Sequence, residues 1–461
     1  MPLADTLTDN RAVRGLRALG GHIRAKPWLR PVRNAGTLLI GRTAQAVLGL
    51  VAMALAARAL GTEAFGILAV LESLVIATGK LTRLNAQHAI LRHGAEALQA
   101  DRPRHLQRLI QYGVTVNALS AAVALTIVMV ALGPAGDAFG LPPDAAPMAR
   151  VYGTLVVFIM FVDTPRGVLQ LFDRWRLLSL QSAVAPFLRV LTGAGMLLAG
   201  AGLPAFLLAW FAARAFARMV MMAMALRTLR ERGLLRGLAR PARRFWRPEP
   251  GIWRYVGGIQ VTRGLMTLRE DAAVIAVGWL LGPGGAGLFR VADKLGQVVE
   301  KPVSKLLTPT ILPELTHQAA RGHTRDRRKM VLRTAALAGG FSLVLCGALA
   351  LAGKPVIALA FGEAYTGAYA AMVLTAVAFA GQAWIFPLQP LLFSTGHVRL
   401  VVAVRAITTA VYFAALAGGT VAFGVTGAGL AAIVYVAVLG ALFLVLGRAP
   451  LSGYLRKQQR S

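Results

Sequence analysis

Long apolar blocks separated by short polar connections recur along the whole chain. Twelve such blocks fall at about residues 36–60, 63–82, 109–132, 149–170, 177–200, 203–226, 255–281, 285–308, 331–352, 367–392, 399–422 and 425–447. Each is near the roughly 20 residues that a helix needs to cross about 30 Å of hydrocarbon. A helix satisfies its own backbone hydrogen bonds, so it is the form such a block takes in lipid. The pattern predicts an all-α polytopic membrane protein of about twelve transmembrane helices.

The connections alternate in charge. Arg11, Arg14, Arg17, Arg24, Lys26, Arg30 and Arg33 precede the first block, and Arg92, Arg102, Arg104 and Arg108 follow the second. Further basic clusters lie after the fourth, sixth, eighth and tenth blocks and in the tail. The intervening connections, such as Gly61-Thr62-Glu63 and Gly282 to Gly285, are short and nearly free of Lys and Arg; Arg58, Arg150 and Lys354 are the exceptions. Cytoplasmic loops of membrane proteins carry the excess of Lys and Arg. Both termini are therefore expected in the cytoplasm, and residues 1–34 are too polar, and the block after them too long, for a simple signal peptide.

This organisation divides the chain into a basic N-terminal segment (1–34), a six-helix bundle (35–226), a basic linker (227–254), a second six-helix bundle (255–447) and a basic tail (448–461). A shift of 221 residues superposes the openings of the two bundles. Arg42 meets Arg263, Leu60-Gly61 meets Leu281-Gly282, Gly66 meets Gly287 and Glu72 meets Asp293. Repeats with an even number of spans, related by an axis along the membrane normal, are a transporter architecture with the substrate between the halves.

Composition changes the picture in one respect. Hydrophobic residues make up 56% of the 461, yet the formal net charge is +31. The basic residues sit between apolar spans, where anionic lipid headgroups account for them, so membrane lipids and not nucleic acid are the expected partners. The one cysteine, Cys346, allows no intrachain disulfide, and the seven histidines show no metal-ligand spacing. No Walker motif is present, and Gly282-Pro283-Gly284-Gly285-Ala286-Gly287 reads as a tight turn. No cofactor is expected.

The candidate chemistry lies in charges at bilayer depth, which are costly and therefore face protein or water. In the eighth block Arg290, Asp293, Lys294, Gln297, Glu300, Lys301 and Lys305 recur at three- and four-residue spacing and form one polar stripe. The seventh adds Gln260, Arg263, Thr267 and Glu270, with Arg269 and Asp271 beside them; Arg42, Glu72, Asp163, Arg189, Arg214 and Arg218 come from the first, second, fourth, fifth and sixth. Interior salt bridges explain single pairs, whereas a stripe the length of a span suits a water-filled cavity with a cationic lining. Arginine binds phosphate oxygens with a planar fork and keeps its charge. The expected substrate contacts are Arg42 and Arg263, then Arg290, Arg269 and Arg189. Glu72, Asp163, Asp271, Asp293 and Glu300 either neutralise these arginines or carry a coupling proton or Na⁺.

Two stretches, Ala59 to His93 and Glu270 to Ala319, resemble the polysaccharide-type (Wzx-like) flippases of the MOP exporter superfamily, which also holds the MATE exporters and the lipid II flippases. The resemblance rests on the Leu-Gly-x-x-x-x-Gly turn of each half, on Asp271 followed after 21 residues by Asp293-Lys294-Leu295, and on Phe361-Gly362-Glu363-Ala364-Tyr365. It implies a non-enzymatic transporter of the bacterial inner membrane. The implied cargo is an undecaprenyl-diphosphate-linked oligosaccharide, flipped to the outer leaflet by alternating access and driven by H⁺, Na⁺ or the membrane potential. A polysaccharide polymerase and other assembly proteins are the implied partners. Twelve spans, where some members have fourteen, make lipid II itself a poorer fit. The rival readings are a MATE-like exporter of small cations, which calls for a carboxylate-dominated cavity, and a membrane polymerase or ligase, which calls for a larger extracytoplasmic loop than residues 133–148 supply.

Overall fold

The computed structural model describes residues 30–84, 86–238, 264, 267–320, 324–389, 392 and 398–458. Among them all regular structure is helical, and ten segments are long and apolar enough to cross a membrane. Two of the ten are hairpins. Gly61 breaks the Arg30–Thr82 segment with φ 71° and ψ −179°, and Gly282 breaks Ala273–Ala320 with φ 75° and ψ 179°. Leu55 packs against Gly193 while Glu72 pairs with Arg189, one turn away on the same helix. On an unbroken helix residues 55 and 72 would lie about 25 Å apart, so the chain reverses at Gly61. Likewise a Cβ on Gly278 would stand 3.4 Å from the Ala286 Cβ, where an unbroken helix would separate the two residues by about 12 Å. Positive φ at a single residue demands glycine at both turns. The ten segments thus supply twelve helical arms, matching the sequence pattern.

The repeat is visible in the packing. A Cβ added to Gly66 would meet the Pro283 carbonyl oxygen, and one added to Gly287 would meet the Thr62 carbonyl oxygen. Pro283 is the 221-residue equivalent of Thr62, as Gly287 is of Gly66. Such reciprocal contacts are the mark of a two-fold axis, and here a pseudo-two-fold passes between Gly66 and Gly287. The contacts between the halves run chiefly through the first hairpin.

The glycine-turn end of the bundle is held shut by polar caps. The Tyr365 hydroxyl lies 3.1 Å from the Ala57 carbonyl oxygen and 2.8 Å from that of Gly61, and donates to them. Phe361-Gly362-Glu363-Ala364-Tyr365 therefore secures the first turn; Gly362, at φ 104°, bends the chain so that Tyr365 can reach it. Arg58 donates from Nε to the Ala360 carbonyl (3.1 Å) and from Nη2 to those of Leu359 and Ala358. These are the last carbonyls of the Thr324–Phe361 helix, which lack partners within it and carry the negative end of its dipole. Arg58 breaks the charge alternation because it caps a helix of the other half.

Three elements differ from the sequence reading. The connection after Thr82 contains an amphipathic helix, Ala86–Gln99, which buries Ala86, Ile90, Gly94 and Ala97. Its apolar face is too short to register as a span. Residues 353–361, expected in a loop, extend the Thr324–Phe361 helix past Pro355, and Arg58 caps the carbonyls at its end. The fourth span is not one helix but three, Ala146–Gly153, Leu155–Met160 and Asp163–Leu171.

Leucine at either Gly66 or Gly287 would force apart backbones in contact, at a cost of roughly 1–3 kcal/mol for an overpacked site. Because both glycines serve one crossing, the double variant is expected to cost less than the sum of the singles. Denaturant unfolding of the detergent-purified protein measures this; full additivity would mean that the two positions are not joined.

Candidate functional site

Glu72 lies ten residues beyond Thr62, about 15 Å below the glycine turn and so half-way through about 30 Å of hydrocarbon. Arg214 is eleven residues into the Leu203–Glu231 helix and Arg189 ten from the end of Trp175–Ala199, so all three sit at one depth. Arg290 joins them from the C-terminal half. Glu72 Oε1 accepts a hydrogen bond from Arg214 Nη2 and lies 3.7 Å from Arg189 Nη1, while Oε2 lies 3.7 Å from Arg290 Nη2. Arg214 Nη1 also donates to the Tyr152 hydroxyl (3.3 Å), and Arg189 stacks over Trp210 with 3.3 Å between guanidinium carbon and ring centroid. Four elements thus converge on one carboxylate.

The balance of charge is uneven. Three guanidinium groups face one carboxylate, an excess of two positive charges among these groups. Arg189 Nε, Arg290 Nη1 and Trp210 Nε1 are buried without a hydrogen-bond partner among the described residues. Buried donors left unfilled cost free energy, and these three lie around the same carboxylate.

A second polar group fills the C-terminal half. Leu268–Ala272 is a turn of π-helix carrying Arg269, Glu270 and Asp271, a distortion frequent at functional sites. Arg269 lies over the rings of Tyr435 (5.0 Å) and Phe379 (5.4 Å) and interacts electrostatically with Glu300. Glu300 accepts from Gln382 (2.9 Å), Asp293 accepts from Gln297 (2.6 Å), and Lys294 donates to Gln297 (3.2 Å). Arg405 donates to Tyr435 and Gln389. Lys80, from the other half, meets Asp271 at 2.6 Å and Glu270 at 3.7 Å.

Of the residues singled out in the sequence, Arg189, Arg214, Arg290 and Glu72 come together. Arg269, Asp271, Asp293 and Glu300 fall in the second group, and Asp163 pairs with Arg83 at 3.5 Å. Arg42 is exposed, and Arg263 lies outside the described residues, so the pairing of these two is not seen. The eighth block also departs from the expected wet wall. Arg290, Asp293 and Gln297 are only 5–7% exposed, because Arg290 crosses to Glu72 and Asp293 turns to Gln297; Lys301 and Lys305 have side chains outside the described set. Lys80, Arg83, Arg166 and Arg405 carry interactions that the sequence reading left aside. Arg405, seven residues into the apolar run Val398–Phe423, was the available signal.

Two bundles about a pseudo-two-fold axis meet at mid-depth, where Arg290 of the second reaches the Glu72 cluster of the first. Residues 32–317 match the model of the family described as polysaccharide biosynthesis protein, and the chain belongs to that family. It is 27% identical over 353 residues to the inner membrane protein YghQ of Escherichia coli strain K12, an alignment that covers 73% of this chain and 94% of that protein. Among solved structures it resembles an inward-facing multidrug resistance MATE family transporter of the MOP superfamily (TM-score 0.68, 14% identity, 91% of this chain and 99% of that one). It also resembles the lipid II flippase MurJ in an inward closed conformation (TM-score 0.66, 8% identity, 92% and 90%). At these identities the structures speak for the fold.

Removing the charge at Glu72 would leave three buried guanidinium groups facing one another. Glu72→Gln is expected to destabilise the protein by about 3–5 kcal/mol, the cost of breaking a buried ion pair from one side. Adding Arg214→Met should restore part of that. Thermal unfolding in detergent reads both; a Glu72→Gln variant as stable as the wild type would show that the cluster does not hold these helices.

Proposed function

We propose that the chain carries a polyprenyl-diphosphate-linked oligosaccharide from the cytoplasmic to the outer leaflet of the bacterial inner membrane by alternating access. One observation carries the reading: arginines from both halves converge at mid-depth on Glu72, with positive charge in excess of that carboxylate and with buried donors unfilled among the described residues. A diphosphate supplies what that cluster lacks, several oxygens and at least two negative charges, in a form that guanidinium forks match. The polysaccharide biosynthesis family supports a saccharide-bearing cargo, and the names of YghQ and MurJ support an inner-membrane location and a lipid-linked substrate.

The basic connections lie on the cytoplasmic side in this reading, with the glycine turns outside. The outer end is closed by Tyr365, Arg58 and the Gly66–Gly287 crossing, so the cargo enters from the cytoplasm. Its head settles among Arg189, Arg214 and Arg290 in place of Glu72, and its prenyl tail stays in lipid between the halves. Rocking of the halves about the crossing then exposes the head outside. An inside-negative potential favours outward passage of each negative charge by about 2.3 kcal/mol per 100 mV, so the potential serves as a driving force.

The likeness to a MATE transporter favours a second reading, export of small molecules. The two are separated in proteoliposomes loaded with either a fluorescent polyprenyl-diphosphate sugar or a cationic dye. The expected result is movement of the lipid diphosphate, abolished in Arg189→Ala and Arg290→Ala, with no saturable transport of dye. Dye export with an immobile lipid would hand the function to the second reading. For orientation, a reporter active only in the cytoplasm should be active when inserted at Gly233 and silent at Gly140; the opposite pattern would invert the proposed direction.

A further inference from the structure

A cavity at the basic end of the N-terminal bundle takes no part in the Glu72 cluster. The Leu203–Glu231 helix ends at Arg232, Gly233 turns the chain at φ 68°, and the short helix Leu235–Leu238 lies along the start of Pro103–Ala138. Gln107 Nε2 donates to the Leu234 carbonyl (3.0 Å), and Gln111 Nε2, one turn on, donates to that of Leu238 (3.0 Å). Leu234 is buried in the same apolar cluster as Leu106 and Ile110. The turn is thus fastened to the long helix by two hydrogen bonds and a packed side chain. Between them is a cavity of about 420 Å³, within the range of about 300–1,000 Å³ usual for ligand sites.

Arg104, Arg232 and Arg236 line the cavity, and no acidic side chain does so among the described residues. Glu231, next to Arg232 in the chain, is taken by Arg174 (2.6 Å) and Arg227 (3.1 Å). Arg232 is held over the Phe172 ring, 5.1 Å from guanidinium carbon to centroid, a contact that fixes the direction of its charge. Two observations set the level of the cavity. Val114 stands seven residues beyond Gln107, two turns along the same face of the helix, and is exposed. Trp175, three residues past Phe172, donates to Asp173 (3.0 Å), and tryptophan is enriched at membrane–water interfaces. The face of Pro103–Ala138 that lines the cavity therefore runs upward into lipid-facing apolar surface. A soluble anion would meet the arginines alone, whereas a phospholipid would place its head among them and its acyl chains beside Val114.

We propose that this cavity seats the head group of an anionic glycerophospholipid of the surrounding leaflet, held by Arg104, Arg232 and Arg236 as a resident ligand and not as cargo. The bound lipid ties the start of Pro103–Ala138 to the end of Leu203–Glu231 and so braces the basic corner of the N-terminal bundle. The inference goes beyond the transport reading and holds whatever the cargo is. Arginines that only mark the cytoplasmic side of a span would serve equally well anywhere along the basic connections, whereas these three surround one enclosed space.

Thermal unfolding of the full chain, purified in detergent and stripped of lipid, tests this with dioleoyl phosphatidylglycerol, dioleoyl phosphatidylcholine or glycerol phosphate added. A ligand that binds the folded state raises its unfolding temperature, and the expected result is a rise with phosphatidylglycerol alone. Arg104→Gln, Arg232→Gln and Arg236→Gln together should weaken that binding about tenfold or more. Arg92→Gln, Arg108→Gln and Arg176→Gln remove the same charge from exposed positions outside the cavity and should leave binding close to that of the wild type. Should the cavity variant not fold, the wild type decides. Phenylglyoxal modification of Arg104, Arg232 and Arg236, read by peptide mass spectrometry, should fall in phosphatidylglycerol relative to that of Arg92 and Arg108. Any of five results would overturn the proposal: no stabilisation of the wild type, full stabilisation of the cavity variant, equal loss in the two triple variants, equal stabilisation by glycerol phosphate, or undiminished modification.

Discussion

A carboxylate at the middle of a bilayer keeps its charge only beside cations, and Glu72 is where that constraint falls in this chain. Its two oxygens draw Arg214, Arg189 and Arg290 from three helices. Arg290 belongs to the C-terminal half, so the need to neutralise one side chain of the first hairpin also ties the two bundles together at mid-depth. In the proposed cycle an anion that takes the place of Glu72 satisfies the same guanidinium groups and releases the hairpin that holds it. Interactions of this kind contribute little net stability, because desolvation offsets the Coulombic gain. Their value lies in being exchangeable.

The scaffold around the cluster is symmetric at its turns. Gly61 and Gly282 adopt almost the same backbone geometry, and Gly66 and Gly287 face each other across the pseudo-axis. Of the equivalents Glu72 and Asp293, the first meets three arginines and the second accepts from Gln297 on its own helix. A repeat kept at the turns fits the duplicated frame whose halves rock against each other in the proposed cycle.

The layout was legible in the sequence because hydrophobic length and charge alternation are properties of single segments. The 221-residue register was legible too, and the matched dihedrals of Gly61 and Gly282 bear it out. The Ala86–Gln99 helix was not, since its apolar face is short and lies along the bundle end. The site was half legible. Arg189, Arg214, Arg290 and Glu72 stood out as charges in apolar blocks, but that three arginines share one acid depends on helix rotation and crossing, which periodicity does not encode. For the same reason the eighth block read as a wetted stripe, while Arg290 and Asp293 are covered by neighbours. Arg83 and Lys80 sit at the end of a span, where a basic residue looks like an ordinary flank; the acids that give them meaning, Asp163 and Asp271, lie about 80 and 190 residues away in the chain.

The central claim is that phosphate replaces Glu72 as the partner of the mid-depth arginines. It is tested most directly by determining the structure of the chain in nanodiscs with a polyprenyl-diphosphate sugar bound. The account predicts phosphorus density within hydrogen-bond reach of Arg189 and Arg290, with the Glu72 carboxylate turned away from at least one of them. A head group resting elsewhere, with Glu72 still gripped by all three arginines, would contradict it.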